Sequence, residues 1–136
     1  MLSLSAMEFL SKMVPTRLRG DKGEEAAARF LRKRGMKVLE RNWRFRQWEL
    51  DIICRDGDTL VFVEVKTRKT GGMGTPADAL DHNKQARLVK AASHYLSRND
   101  AWDEPCRFDF VGVVDSGASM DVEHIENAFD LTGMNI

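Results

Sequence analysis

Apolar and polar positions alternate through the middle of this chain, and on either side they recur at helical spacing. Gly23–Arg34, rich in Ala, Leu and Arg, is expected to be a helix closed by Gly35 as its C-cap. Lys37–Arg46 and Gln47–Cys54 are expected as the first two strands. Thr59–Lys66 is expected as the third, with Val61, Val63 and Val65 giving it a nearly continuous apolar character. Arg55-Asp56-Gly57-Asp58 lies between the second and third, and Asp-Gly is a strong hairpin signal. Thr67–Ala77 holds three glycines and a proline and is expected to be a mobile loop. Asp81–Ser97 has Leu88, Ala91, Ala92, Tyr95 and Leu96 at helical spacing. Arg107–Val114 follows as a fourth strand, and Val122–Asn127 as an extra strand at an edge. The order α-β-β-β-α-β, with that added edge strand, starts with an antiparallel meander. The long helix then permits a crossover to a parallel neighbour. The expected architecture is an α/β sandwich, a mixed β-sheet flanked by helices.

At 136 residues the chain is one domain of ordinary size, and 43% hydrophobic residues suffice for one core. Residues 1–16 are expected to form a flexible arm and 17–136 the domain. The start, Met1–Val14, is broken by Ser3, Ser5, Glu8, Ser11 and Lys12 and lacks the pattern of a signal peptide. No stretch approaches the roughly 20 apolar residues of a membrane span. The two cysteines, Cys54 and Cys106, lie in expected strands without CxxC spacing and are expected to be small core residues in a reducing cytoplasm. The net charge is zero but unevenly spread. Arg17–Arg46 carries 11 Lys/Arg against four Asp/Glu, whereas Asp100–Ile136 carries nine Asp/Glu against Arg107 alone. A basic face for a polyanion follows, against the plainer reading of a solvated helix surface.

The candidate chemistry lies in two adjacent runs, Glu49-Leu50-Asp51 and Glu64-Val65-Lys66. Strict alternation puts Glu49, Asp51 and Ile53 on one face, and Leu60, Phe62, Glu64 and Lys66 on one face of the next strand. A two-residue turn at Gly57-Asp58 sets Asp51 opposite Glu64 and Glu49 opposite Lys66. A turn at Asp56-Gly57 shifts the opposites by two, and both registers keep Asp51, Glu64 and Lys66 on one side. Two carboxylates about 4 Å apart repel by about 4 kcal/mol at an effective dielectric of about 20. A divalent cation removes that cost. Mg²⁺, or Mn²⁺, suits one or two carboxylates with water and phosphate oxygens, here Asp51, Glu64 and the Val65 carbonyl. Lys66 would then orient or deprotonate water and stabilise charge on phosphorus. The plainer reading makes Glu64–Lys66 and Glu49–Lys66 ordinary ion pairs.

Glu24 shares a helical face with Ala27, Ala28 and Leu31, so it is expected to point at the sheet; Glu25 is expected to face solvent. Lys84 aligns with Leu88, Ala91 and Tyr95, and would reach a phosphate or snorkel along the core.

Several segments taken in order resemble the PD-(D/E)xK nuclease superfamily, which includes Holliday-junction resolvases, and within it the YraN-type bacterial family. They are Gly20-Asp21-Lys22-Gly23-Glu24 with Ala27, Glu40-Arg41-Asn42-Trp43-Arg44, Glu49-Leu50-Asp51, Phe62 to Arg68, Lys84, Arg107-Phe108-Asp109 and Asn127-Ala128-Phe129. The resemblance implies a restriction-endonuclease-like sandwich, with Asp51, Glu64 and Lys66 at catalytic positions and Glu24 as the acid of the first helix. Gln47-Trp48 stands where a glycine is usual before the Glu-x-Asp segment, and the signature proline is missing.

The sequence therefore points to a metal-dependent endonuclease acting on structured or branched DNA, which as a resolvase would work as a homodimer. Arg44, Arg46, Trp48, Arg68, Lys69 and Lys84 are the expected nucleic-acid contacts. The competing readings are a non-catalytic nucleic-acid-binding module on the same fold and a protein–protein adaptor.

Overall fold

Helix α1 (Pro15–Lys33) opens the computed structural model, which describes residues 15–71 and 76–130. Pro15 suits the first helical turn, where its missing N–H would have no partner in any case. The helix starts earlier than expected at Gly23, and it takes in Pro15 and Thr16; the rest of the expected arm lies outside the described residues. Its far end is a Schellman closure. Gly35 has φ +89°, its N–H donates to the Arg32 carbonyl, and the Met36 N–H donates to the Leu31 carbonyl. Leu31 and Met36 are both buried in the core beneath the helix.

Five strands follow: β1 (Lys37–Phe45), β2 (Trp48–Asp56), β3 (Thr59–Lys69), β4 (Cys106–Asp115) and β5 (Met120–Phe129). They lie side by side in chain order, antiparallel except for the parallel pair β3–β4. The edge strand is therefore present, and the crossover between β3 and β4 runs through helix α3 as its length allowed. Of the loop expected at Thr67–Ala77, the first part is strand to Lys69 and the last part is the short helix α2 (Pro76–Ala79). Residues 72–75 lie outside the described residues. Helix α3 (His82–Arg98) begins at its N-cap Asp81, whose carboxylate accepts the Lys84 N–H at 2.9 Å.

The sheet is packed on both sides. Helix α3 covers one face through Leu88, Ala92 and Tyr95 over Leu50, Ile53, Leu60 and Phe62. Helix α1 covers the other through Ala27, Ala28 and Leu31 over Ile52, Cys54, Val61 and Val63. Two expectations are corrected: Cys106 is exposed at the start of β4 while Cys54 is buried in the core, and β2 does not alternate strictly. Leu50 and Ile53 face α3 while Ile52 and Cys54 face α1, so β2 breaks strict alternation across Asp51. Strand β1 switches with it: Trp43 packs on the α3 side, and Arg41 reaches Glu24 of α1. Between them Asn42 has φ +53°, a left-handed conformation that asparagine tolerates better than most side chains.

Candidate active site

The ladder between β2 and β3 follows the Gly57-Asp58 turn, pairing Asp56 with Thr59 and ending at Ile52 with Val63. Beyond that pair the strands part. The Val65 N–H, which a continuing ladder would direct to a β2 carbonyl, instead donates to Asp51 Oδ2 at 2.9 Å. Asp51 thus stands in for a backbone acceptor at the mouth of a cleft between two strands. Glu64 lies near enough that the charge of Asp51 raises its carboxyl. The two acids therefore meet as the Gly57-Asp58 register required, although by strand parting rather than by simple alternation.

The electrostatics of the pair reflect crowding in a dry place. Burial, then the charge of Asp51, push Glu64 up to about 7. Burial also raises Asp51, against the pull of the Val65 N–H and Lys84. Glu24 is buried, and it too is pushed up to about 7, by burial first and by Asp51 second. So Glu24 senses Asp51 across the gap between α1 and β2, as its helical face predicts. Gly23 makes this approach possible, because a Cβ there would fall 1.8 Å from Thr67 Oγ1 on β3. Glu25 does not simply face water: it shares Arg41 with Glu24. Even so, Glu24 Oε1 has no hydrogen-bond partner. Arg41 Nε approaches that oxygen only to 3.7 Å, an ion pair without a hydrogen bond, and a water or cation between α1 and β2 would complete its contacts.

Neither ion pair of the plainer reading forms. Glu64 is held by Lys84 Nζ at 3.0 Å, and Glu49 by Arg44 at 3.4 Å. Lys66, two residues on along the same strand, is exposed. Lys84 is thus a partner of the acid pair, placed in the first turn of α3 by the Asp81 cap. Arg68 and Lys69 are the last two residues of β3, four and five positions beyond Glu64, and Lys69 borders a depression with Asp115, Ser116 and Gly117. Arg44, Arg46 and Trp48 sit at the tip of the β1–β2 hairpin. Among the basic residues of α1, Lys22, Arg29 and Lys33 line a separate groove against Met120 and Val122 of β5.

Among the described residues no three His, Cys, Asp or Glu side chains converge as a closed metal cage. The donor set fits a hydrated hard cation better. Two carboxylates that hold protons tightly are relieved by any replacing cation, and Mg²⁺ keeps most of its waters.

A second polar cluster escaped the sequence reading. Asp109, fully buried on β4, accepts from Arg107 Nε at 3.0 Å and from the Asn127 N–H at 3.1 Å, and meets His124 Nε2 at 2.8 Å. Burial works to raise this acid, but His124, Arg107 and Asn127 outweigh it and hold it below the usual carboxylate range. Arg34 Nη1 lies 3.0 Å from the other ring nitrogen, so the network ties the turn after α1 to β4 and β5. The segments Arg107-Phe108-Asp109 and Asn127-Ala128-Phe129 were the available signal, for here they meet.

These features define an α/β sandwich with a pair of proton-avid acids where two neighbouring strands of its sheet part. Residues 23–113 match the model of the uncharacterised protein family UPF0102, and the chain belongs to that family. A UPF0102 protein of Nitratidesulfovibrio vulgaris (strain DP4) is 53% identical over 113 residues, covering 83% of this chain and 84% of that one. Relatives from Lawsonia intracellularis, 43% identical over 82% of this chain and 84% of its own, and Geobacter metallireducens, 46% over 82% and 92%, carry the same family description. No described helix is long and apolar enough to cross a membrane.

Proposed function

We propose that this protein is a Mg²⁺-dependent nuclease that hydrolyses phosphodiester bonds in DNA. The observation that carries the reading is the meeting of Asp51 and Glu64, both raised by burial, at the parting of β2 and β3. Packing alone gives no reason to crowd two acids there, since removing one would relieve repulsion. Asp51 and Glu64 would hold the ion, with Mn²⁺ as a substitute, and the Val65 carbonyl would add an oxygen. A bound Mg²⁺ would neutralise the scissile phosphate and lower the pKa of water.

The chain's own residues do the rest. Lys66, two residues past Glu64 and exposed, would orient the attacking water or stabilise phosphorus-borne charge as an ammonium. Glu24, raised to about 7, sits across the gap to accept a proton from an attacking water. Lys84 would leave Glu64 for a phosphate oxygen once the acids are neutralised. Arg68 and Lys69 follow Lys66 on the same strand, and Arg44, Arg46 and Trp48 flank the other side, so a backbone lying across the cleft meets cations at both banks. Structured or branched DNA is the favoured substrate on the superfamily resemblance, with a homodimer required to cut two strands.

One observation favours the second reading, a non-catalytic nucleic-acid-binding module. Lys84 already neutralises Glu64 from within the chain. The test separates the two. The full-length protein is incubated with labelled branched and linear DNA in Mg²⁺, Mn²⁺ or EDTA, and ion binding is measured by calorimetry. Metal-dependent products that vanish in Asp51→Asn support the nuclease. DNA binding without metal binding or products overturns it in favour of the module, and binding of neither leaves the protein–protein adaptor.

A further inference from the structure

The β1–β2 hairpin does not end in bare solvent but is clamped onto α3 by aromatic and cationic side chains. Phe45 lies 5.1 Å from the His94 ring, and Trp48 stacks on the same ring at 6.0 Å and 23°. Arg46 and Arg98 lie over the Phe45 ring at 5.1 and 4.5 Å. Phe45, Trp48 and His94 are only half-buried, and both arginines are exposed. Arg44 adds a third cation at the tip, and its partner Glu49 is an acid beside it.

A core does not need this arrangement. The hairpin is already pinned to α3 one step inward, where Trp43 meets Tyr95 edge-on at 5.5 Å. The outer layer instead sets half-buried rings and exposed guanidinium groups together at the surface. A guanidinium stacked on a ring keeps its in-plane N–H donors pointing outward, the geometry that receives phosphate oxygens. Rings interleaved with such cations hold nucleotides whose bases are unpaired, because a duplex hides base faces within its own stack. Trp48 precedes Asp51 by three positions on β2, about 10 Å at about 3.3 Å per residue.

We infer that the Phe45, Trp48, His94, Arg46 and Arg98 patch binds a single-stranded segment of nucleic acid and delivers its neighbouring phosphate to the Asp51/Glu64 cleft. This deepens the nuclease reading and rests on it for the word delivers. The substrate is then a strand that leaves a duplex, a flap, fork or overhang, cut close to the junction. An intact duplex would leave the patch empty.

The binding arm uses full-length protein in Ca²⁺ or EDTA, where cleavage does not interfere. Fluorescence anisotropy compares a labelled oligothymidylate with a duplex of equal length, and intrinsic tryptophan fluorescence follows stacking. The wild type should bind the single strand more tightly than the duplex and show quenching. Trp48→Leu should lose roughly 5- to 150-fold in single-strand affinity, the range for one base–aromatic stack, and most of the quenching. Arg98→Ala, at an exposed position, should lose single-strand affinity without unfolding, and it decides the matter if Trp48→Leu fails to fold. Equal affinity for both DNAs, no quenching, or variants that bind like the wild type would overturn the inference, as would capture of acidic peptide in place of nucleic acid. The cleavage arm keeps the two readings apart. Mg²⁺-dependent cutting that ignores an overhang sinks the patch and spares the nuclease. Single-strand binding through Trp48 with no cutting of any DNA sinks the nuclease and retains the patch as a binding surface.

Discussion

Replacing Glu64 by glutamine should stabilise the metal-free protein, although it deletes a charge that is paired with Lys84. The side chain keeps its size and can still accept from Lys84 Nζ. What it loses is an ionisation that the fold resists. Glu64 rises from an ordinary value of 4.5 to about 7, with burial and Asp51 as the two leading causes. A folded value above the unfolded one means that the folded state holds its proton longer. The stability this gives is fully present below the unfolded value and is lost as pH climbs through about 7. At pH ~8 the ionised acid then costs about 3 kcal/mol, and at pH ~5 less than about 1 kcal/mol. The Lys84 attraction is already contained in that figure.

In a chain of this size 1 kcal/mol moves Tm by about 4 °C. Glu64→Gln should therefore melt up to about 10 °C above wild type at pH ~8 in EDTA, and the gap should close towards pH ~5. Mg²⁺ at about 100 times its Kd should return about 2.7 kcal/mol to the wild type and nothing to the variant. Differential scanning fluorimetry at the two pH values, with EDTA or Mg²⁺, reads all four quantities. If Glu64→Gln melts below wild type at pH ~8, and no divalent ion shifts the wild type, the acid pair is an ordinary structural contact. The same reasoning limits the choice of variant at its neighbour. Asp51→Ala would strand the Val65 N–H, so Asp51→Asn, which can still accept it, is the informative change.

Asp109→Asn is chemically the same change and should have the opposite sign. That acid is held below the usual range, so its contribution is present at neutral pH and is lost as pH falls through the folded value. Breaking its contacts with Arg107 and His124 should cost about 3–5 kcal/mol, seen as a lower urea midpoint. Gly23→Ala should cost about 1–3 kcal/mol through overpacking, because the new Cβ meets Thr67 Cβ at 2.9 Å and Cγ2 at 3.0 Å as well as Oγ1, so no rotation of Thr67 clears it. Chemical denaturation measures that loss, and an unchanged midpoint would refute the packing argument. Lys66→Ala should change stability by less than about 0.5 kcal/mol, keep the Mg²⁺-dependent rise in Tm and abolish cleavage; a large loss of stability would make it structural.

Much of the sheet could be read from the chain because its signals are local. Asp56-Gly57-Asp58 narrowed the β2–β3 pairing to two registers, of which the fold takes the Gly57-Asp58 one, and valines at every second position of β3 marked a nearly continuous apolar strand. The first helix was cut short at Gly23 because two glycines lower its propensity, whereas in the fold Gly23 serves packing against Thr67. The face switch at Asn42 and Asp51 was invisible because the period-two rule assumes a strand that does not coil. Long-range partners were hidden for a different reason. Lys84 reaches Glu64, and Arg41 reaches Glu24, only once α3 and α1 are laid against opposite faces of the sheet. Alternation along one strand contains no term for a side chain arriving from another layer.

The placement of Asp51 explains why fold and candidate chemistry are hard to separate here. Where β2 and β3 part, one buried N–H loses its ladder acceptor, and a buried donor left unpaired is expensive. A carboxylate supplies the acceptor and leaves its second oxygen for the cleft. A neutral amide or hydroxyl could do the first task, yet neither would crowd a charge against Glu64. The structural need therefore accounts for an oxygen at position 51 but not for its charge, nor for a second acid beside it or a third approaching from α1. What remains unexplained by packing is a demand for negative charge in a dry cleft flanked by Lys66 and Lys84. The hydrated cation of the proposed nuclease would meet that demand. Stability measurements on amide variants at these positions, compared with Asp109→Asn, distinguish charge kept for the fold from charge kept against it.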